Sequence, residues 1–271
     1  MAFFECKYTS SGLVLKSFRD LLGWGGGKVV FLGWLWAAGH GPWWTLRLCF
    51  FQDTTKNDQN MKADFCVFLD AGHGALDASG TYVTPGKRFQ HSRGVFHQGR
   101  WFFEGVWNRT LTKRVALKLG QLGVPHLFVS HEYVDLPLDY RVGMANWYHR
   151  NYKKGLFISN HANASGAGQA RGFEIYTSPG VTASDRVAES HWKNVNDLLG
   201  NRINYRSDLS DGDHDKEANF YVLVRTAMPA ILVEHLFFDN YEDALLLMDD
   251  EIVERFAEAQ ARTVVEYLNS L

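Results

Sequence analysis

The stretch Phe65–Gly74, FCVFLDAGHG, decides how the rest of the chain is organised. Its unbroken apolar run, Phe65–Leu69, ends in an acid, two glycines and a histidine. A buried parallel strand has this pattern when it delivers a polar side chain to a site at its carboxyl end. We therefore treat His73 as the first candidate functional residue.

Two later stretches repeat the same arrangement. The apolar run Leu156–Ile158 is followed closely by His161, and the run Ile231–Val233 is followed directly by Glu234. Because the carboxyl ends of parallel strands meet at one edge of a sheet, these side chains should converge on His73. The repetition predicts a polar site built from the ends of three strands.

Bulk composition sets the class of protein. At 271 residues, with 46% apolar and 21% charged residues, the chain can bury the core of one large α/β domain. The net charge of -2 gives no electrostatic basis for binding nucleic acid, and we expect none. The three cysteines, Cys6, Cys49 and Cys66, have no C-x-x-C spacing, so neither a disulfide framework nor a thiolate zinc site is indicated.

The first 60 residues differ from the remainder. They contain five of the nine tryptophans, show no sustained helix or strand period, and end in the polar, linker-like stretch Gln52–Asn60. The apolar segment Val29–Gly39 is far shorter than the roughly 20 residues that span a bilayer, and no clear signal peptide is present. We expect residues 1–60 to be an atypical Trp/Gly-rich extension that the fold does not need. It is either disordered, membrane-proximal through residues 29–51 (the less favoured alternative), or an upstream mis-start.

Residues 61–271 show regular periodicity, so we expect the folded domain to begin at Met61. Helices are predicted at Val106–Leu122, Leu138–Tyr152 and Ala183–Leu199 and in the tail Tyr241–Leu271, and further strands at His126–Ser130, Gly172–Thr177 and Asn219–Val224. This alternation predicts a single three-layer α/β domain with a central, mostly parallel sheet flanked by helices. The long loop between Gly74 and Gly105 is predicted to be functional, since compact domains seldom contain such loops without a role.

The candidate residues have the chemistry of a zinc site. Catalytic zinc sites typically take three protein ligands and leave one position for water, and His73 and His161 supply two nitrogen ligands. Glu104 is the single acidic residue between Asp77 and Glu132, and it lies where the long loop turns into a helix. A carboxylate in a first helical turn is also favoured by the helix dipole alone, so a capping role for Glu104 stays open.

Glu234 has a different role in this interpretation. An ionised carboxylate at the end of a buried strand is unfavourable unless it has a partner or a task. Beside a zinc-activated water, a glutamate accepts the proton of the water and later returns it to a leaving amine. We therefore interpret Glu234 as the base and then the acid of an amide hydrolysis, not as a ligand.

Several motifs from Phe65 to the C-terminus occur in a definite order. They are DAGHG at Asp70–Gly74, Glu104 with Asn108, LDYRVGMAN at Leu138–Asn146, SNHANA at Ser159–Ala164 and PAILVEHLFFDN at Pro229–Asn240. This set resembles the zinc-dependent N-acetylmuramoyl-L-alanine amidases of the amidase_3 family. The resemblance implies one zinc ion held by His73, Glu104 and His161, with Glu234 catalytic. The implied substrate is peptidoglycan, cut between the lactyl group of N-acetylmuramic acid and L-alanine.

The chain departs from the family pattern at two places. His235 and Leu236 follow the glutamate where the family commonly has small residues, and the loop Thr81–Phe103 is longer than in short members. That loop resembles the versions in phage-like and Bacteroidetes-like amidases. Its cations, with Arg88 and Arg93 as candidates, are either contacts for stem-peptide carboxylates or part of a solvated loop.

Other polar residues receive weaker interpretations. Asn163 and His214 are further candidate substrate contacts, and the DGDHD segment around His214, residues 211–215, is predicted to be a surface turn. Arg141 and Asn146 are expected to tie their helix to the sheet. Asp70 and Asp77 are expected to fix the turn that presents His73, and a partner role behind that ligand is open to them.

Two other functions remain open on the sequence alone. One is a catalytically silent peptidoglycan-binding or regulatory module on the same fold, although such a module has no need for Glu234. The other is a zinc peptidase that cuts peptides generally. We expect a monomer that acts at the cell wall or in the periplasm, or a phage lysin released to the wall.

Overall fold

The computed structural model describes residues 4–7, 43–46 and 64–271. Chain contacts divide the protein into two units, Met1–Asp53 and Thr54–Leu271. In the first unit, β1 (Phe4–Lys7) and β2 (Trp43–Leu46) pair antiparallel. The predicted linker and the predicted apolar segment, residues 52–60 and 29–39, lie outside the described residues. The predicted domain boundary near residue 60 stays a prediction.

A six-stranded sheet forms the centre of the second unit. Its strands and those of a small hairpin are, in chain order, β3 (Phe65–Ala71), β4 (Arg88–Gln90), β5 (Trp101–Phe103), β6 (His126–Phe128), β7 (Lys154–Asn163), β8 (Glu174–Thr177), β9 (Lys216–Glu217) and β10 (Ala230–Phe237). The order across the sheet is β6-β3-β7-β10-β8-β9, and β4 pairs with β5 in the hairpin. All neighbours in the sheet are parallel except β10 and β8. The predicted mostly parallel sheet is confirmed.

Helices cover both faces of the sheet. They are α1 (Glu104–Gln121), α2 (Leu138–His149), α3 (Ala183–Leu199), α4 (Tyr221–Val224), α5 (Tyr241–Met248) and α6 (Asp250–Asn269). The larger core lies under α1, α3 and α6, and the smaller core lies under α2 and α4. No helix in the described part of the chain is both long enough and apolar enough to cross a membrane.

Strand β3 shows why its sequence is continuously apolar. Phe65, Val67 and Leu69 enter the larger core, whereas Cys66 and Phe68 enter the smaller one. A strand buried on both faces has no solvent-facing positions, so it carries a hydrophobic run without alternation. The structure therefore confirms the predicted three-layer α/β domain.

The structure corrects three element predictions. Asn219–Val224 is not a strand, because its two buried residues, Val222 and Leu223, are consecutive and pack as the short helix α4. The tail is two helices, since Asp249 ends α5 and its side chain accepts hydrogen bonds from the backbone N–H groups that begin α6. The long loop contains the β4–β5 hairpin, which ends directly before α1.

Arg141 fastens α2 to the end of β3. Its side chain is 1% exposed and donates hydrogen bonds to the Asp70 carboxylate at 2.6 Å, the Ala71 carbonyl at 2.9 Å and the His73 carbonyl at 3.3 Å. The predicted tie between this helix and the sheet is thus confirmed for Arg141. It is wrong for Asn146, which bonds backbone groups beyond α4 instead.

We expect Arg141→Gln to lower the free energy of unfolding by about 3 kcal/mol, because it leaves a buried aspartate without its cation. Urea denaturation of the full chain measures this change. The matched control is Arg150→Gln, at the exposed end of α2, where we expect a change within about 0.5 kcal/mol. Equal stabilities of the two variants would contradict the assigned role of Arg141.

Candidate metal centre

The fold brings His73, Glu104 and His161 together at the carboxyl edge of the sheet. One ligand atom from each lies within 4.8 Å of the other two. The Glu104 Oε1 atom lies 3.0 Å from His161 Nδ1 and 3.3 Å from His73 Nε2. Within residues 64–271 and the described N-terminal strands, no other trio of histidine, cysteine and acidic side chains meets this geometry.

This donor set fits a zinc ion. Zinc–nitrogen and zinc–oxygen bonds of about 2.1 Å in a tetrahedron place ligand atoms roughly 3.4 Å apart. The two separations from Glu104 Oε1 are close to that value. The Glu104 residue is 1% exposed, so its charge is removed from water and is approached by the two histidines and by the Asn108 amide, which donates to Oε1 at 3.4 Å. These two nitrogens and one carboxylate would hold the ion through three ligands, and a fourth position would remain for water or substrate.

The backbone before the site is strained and closely packed. His73 has φ 61°, the only positive φ of a non-glycine residue in the described part of the chain. Arg109 Nη2 donates a hydrogen bond of 2.7 Å to the His73 carbonyl and so holds this conformation. Gly72 lies against the His161 ring, because a Cβ atom there would lie 2.1 Å from His161 Cε1. The His161 ring can occupy this position only because residue 72 has no side chain.

Asp135 is a residue that the sequence interpretation missed. Its Oδ2 atom lies 3.8 Å from His73 Nδ1, and its Oδ1 accepts from Arg141. The prediction of Asp70 or Asp77 as the partner of His73 was wrong. Asp70 pairs with Arg141, and Asp77 Oδ1 closes its own turn by accepting from the backbone of residues 79 and 81. Asp135 lies in a loop with no motif, so only the fold reveals it.

The charges of the trio depend on one another. Burial lowers the pKa of His73, but its contacts with Asp135 and Glu104 outweigh burial, so the pKa is raised. Burial raises the pKa of Glu104, yet the hydrogen bonds from His161 and His73 outweigh it and hold the pKa below its usual range. Glu104 is therefore ionised, which suits a ligand for a cation.

Glu234 lies next to the trio in a different environment. It is the register partner of His161 across β7 and β10, and its Oε2 atom is buried without a hydrogen-bond partner in the described residues. Burial, followed by the charge of Glu104, raises the pKa of Glu234 well above its ordinary value. An unpartnered carboxyl with a raised pKa is suited to accepting and returning a proton.

Two predicted substrate contacts belong to the long loop. The guanidinium of Arg88 lies 4.6 Å from the Trp101 ring centroid, and that of Arg93 lies 4.5 Å from the Tyr241 ring centroid. Both side chains stack on aromatic rings instead of pairing with a carboxylate of the described chain. Their role in substrate binding stays a prediction.

The other two predicted substrate contacts, Asn163 and His214, form hydrogen bonds within the protein. Asn163 Nδ2 donates to Glu174 Oε2 at 2.9 Å. His214 Nδ1 lies 2.8 Å from Glu189 Oε2, and its ring stacks on Trp192 with centroids 3.6 Å apart. These contacts account for both side chains without a substrate, so their proposed binding role stays a prediction as well.

The DGDHD segment is not a simple surface turn. Asp215 is 3% exposed and accepts a hydrogen bond of 2.6 Å from the Thr177 hydroxyl. Burial, together with the neighbouring charge of Asp213, raises the pKa of Asp215 to about 7. The segment runs directly into β9 at the sheet edge, which explains why its last aspartate is buried.

His235, one of the departures from the family pattern, supports the site from behind. It is fully buried and packs edge-on against Phe256, with ring centroids 4.8 Å apart. Its Nδ1 lies 3.0 Å from the His161 carbonyl, which only accepts, so Nδ1 carries the proton and Nε2 faces Gln260 at 3.3 Å. A large side chain at this position therefore anchors the backbone of a candidate ligand.

Comparisons with known proteins identify the family that this chain resembles. Residues 67–266 match the family model described as Amidase_3, N-acetylmuramoyl-L-alanine amidase. The chain is 28% identical over 211 residues to the sporulation-specific N-acetylmuramoyl-L-alanine amidase of Bacillus subtilis (strain 168), covering 75% of this chain and 68% of that protein. It superimposes on the amidase AmiC2 of Nostoc punctiforme with a TM-score of 0.57 and 28% identity, covering 76% of this chain and 98% of that one.

A viral relative is similar over a shorter region. The endolysin of Bacillus phage SPP1 is 37% identical over 117 residues. The match covers 43% of this chain and 41% of the endolysin, so the chain spans well under half of that relative.

We expect Gly72→Ala to lower the free energy of unfolding by about 1–3 kcal/mol, because the added methyl group overlaps the His161 ring. Urea denaturation measures this change. Gly86→Ala is the matched control, since a Cβ atom there meets nothing within 4 Å. The packing argument fails if the two alanine variants are equally stable.

Proposed function

The chain belongs to the Amidase_3 family of N-acetylmuramoyl-L-alanine amidases, and on that premise we propose that it is an active, zinc-dependent member. Its substrate is peptidoglycan, and the bond cut is the amide between N-acetylmuramic acid and L-alanine. Zinc is held by His73, Glu104 and His161. Glu234 is the catalytic acid and base.

One observation carries this proposal: the unpartnered Glu234 lies beside a complete set of three ligands. Glu234 Oε2 is buried and makes no hydrogen bond to the described residues, although a buried carboxyl oxygen normally has a partner. A water at the open position of the trio would supply one. A binding module has no reason to keep such an unsatisfied group next to a metal site, whereas a hydrolase needs it.

The reaction divides between the metal and the side chains. When bound, zinc supplies a Lewis acid that polarises the amide carbonyl and acidifies water. Glu234 removes a proton from the attacking water as the new carbon–oxygen bond forms. It then donates that proton to the alanine nitrogen as the carbon–nitrogen bond breaks. An amide nitrogen leaves readily only when it is protonated, so the same carboxyl must act twice.

The environment of Glu234 suits both steps. Burial, followed by the charge of Glu104, raises its pKa, so Glu234 retains a proton more readily than an exposed glutamate and can deliver it to the leaving nitrogen. Asp135 faces the outer nitrogen of His73, and Asn108 Nδ2 donates to the Gly72 carbonyl at 3.0 Å. These contacts keep the ligands oriented while the proton moves.

The proposed place of action is the peptidoglycan wall. The relatives include a sporulation-specific amidase of a Bacillus and an endolysin of a Bacillus phage, which supports either wall remodelling or lysis. The phage-like or Bacteroidetes-like character of the long loop and the monomeric state belong to the same proposal. A protein that lacks zinc and does not cleave purified sacculi would overturn it.

We expect Glu234→Ala to retain bound zinc and to lose amide hydrolysis by about 10²–10⁴-fold, because proton transfer is lost while the ligands remain. Metal content is measured by atomic emission, and cleavage by the alanine amino groups released from sacculi. Glu242→Ala, an exposed acid at the start of α5, is the control and should keep the native rate. Near-native hydrolysis by the Glu234→Ala variant would contradict the assignment of Glu234 as the catalytic base and acid.

We expect Glu104→Ala to lose most of the bound zinc, since two histidines alone form an incomplete site. Equilibrium dialysis against a chelator of known affinity measures the loss. Glu132→Ala, a half-exposed acid paired with Lys113, should bind zinc as the native protein does. Unchanged zinc affinity in Glu104→Ala would mean that this carboxylate caps α1 and is not a ligand.

A further inference from the structure

A second acidic side chain lies beside Glu234 on the sheet. Strands β8 and β10 are antiparallel, and their register places Glu174 directly opposite Glu234. Glu174 is 3% exposed and accepts hydrogen bonds from Tyr176 Oη at 2.7 Å and Asn163 Nδ2 at 2.9 Å. Unlike Glu234, this carboxylate is well supplied with donors.

Two cations complete the shell of Glu174. Lys216 Nζ donates to Glu174 Oε1 at 2.8 Å, and Arg206 Nε donates to the same oxygen. These contacts outweigh burial, so the pKa of Glu174 is lowered and the group is ionised. Lys216 and Arg206 therefore share the single negative charge of Glu174. This carboxylate lies on β8, next to the catalytic carboxyl of Glu234.

Arg206 is only partly used by this contact. It bonds Glu174 through Nε, and its two Nη atoms make no hydrogen bond to the described residues. Its side chain is 43% exposed, and the guanidinium lies 5.4 Å from the ring centroid of Phe237. Arg206 bonds Glu174, the register partner of Glu234, so its guanidinium lies beside the strand that borders the catalytic site.

A free guanidinium edge is a binding group for a carboxylate. Arginine offers planar N–H groups that match a carboxylate bidentately, and such charge-assisted hydrogen bonds are about twice as strong as neutral ones. Because Glu174 already fixes the Nε side, little conformational freedom is lost when an anion binds. The ligand that fits this arrangement is a carboxylate near the bond that is cut.

We propose that Arg206 is a specificity-determining residue that binds a free carboxylate on the peptide side of the scissile amide. This inference rests on the proposed function. The muramoyl carboxyl group is consumed in the amide itself, and the sugar carries hydroxyl and acetamido groups. Free carboxylates occur only in the peptide that follows. Glu174 is the positioning residue that holds Arg206 toward that carboxylate.

The test compares two muramoyl dipeptides that differ only at the α-carboxyl group of the second residue. One is muramoyl-L-alanyl-D-isoglutamate, with a free α-carboxylate, and the other is its α-carboxamide, muramoyl-L-alanyl-D-isoglutamine. In both, the γ-carboxyl group is capped as its N-methylamide, so that only the first substrate carries a free carboxylate. For the full-length protein we expect kcat/KM to favour the carboxylate form by about tenfold, the discrimination typical of a charged hydrogen bond. In Arg206→Gln this preference disappears through a higher KM for the carboxylate form, with kcat unchanged. Arg206→Lys should recover part of it.

Arg202→Gln is the matched control. Arg202 is 41% exposed and pairs with Glu251 on the protein surface, much as Arg206 pairs with Glu174. The control should keep the native preference. In Arg206→Gln the Glu174 carboxylate still has three donors, so we expect the variant to fold, and thermal unfolding checks this.

Two outcomes would overturn the inference. One is an Arg206→Gln variant that keeps the native preference for the carboxylate, and the other is an equal loss of activity on both substrates. Failure of the native protein to cut either dipeptide or sacculi would be different, since the proposed function would then fail and take this inference with it.

Discussion

The buried carboxylate of Glu104 is the constraint on which the rest of the site depends. A charge removed from water in this way must be compensated, and the two histidine rings and the Asn108 amide approach it. The long loop brings Glu104 to that place, because the β4–β5 hairpin ends at Phe103 and α1 begins at the next residue. The Tyr82 hydroxyl then accepts a hydrogen bond of 2.9 Å from the Gly105 N–H and fixes the start of the helix.

Three glutamates lie at one edge of the sheet, and their surroundings shift their pKa values differently. Glu104 lies between two histidines and is ionised, Glu174 is ionised among several donors, and the pKa of Glu234 is raised by burial and by the charge of Glu104. Environments that separate the pKa values of neighbouring carboxyls allow one to bind a cation and another to move protons. The register of β10 with β7 and β8 sets the order His161, Glu234, Glu174 across the sheet.

A chain of buried polar side chains supports this edge from below. His235 Nδ1 donates to the His161 carbonyl, Gln260 bonds both His235 and Asn160, and Asn160 Nδ2 donates to Thr112 Oγ1 at 3.1 Å. Each member is fully buried, so each hydrogen bond is needed to avoid the cost of an unpaired group. The network links β7, β10, α1 and α6, and it makes the positions of the candidate ligands depend on the packing of the whole domain.

By itself the sequence determined the layered α/β fold and the residues of the candidate centre. Continuous apolar runs specify strands buried on both faces, and the polar residues after them must meet at one edge of a parallel sheet. Other features were decided only by the tertiary structure: Asp135 beside His73, the short helix α4, the burial of Asp215, and the contact of Arg206 with Glu174. These depend on contacts between residues far apart in the chain, where no local period or motif exists. Periodicity records which face of an element is buried, whereas the partner of a polar side chain is chosen by packing in three dimensions.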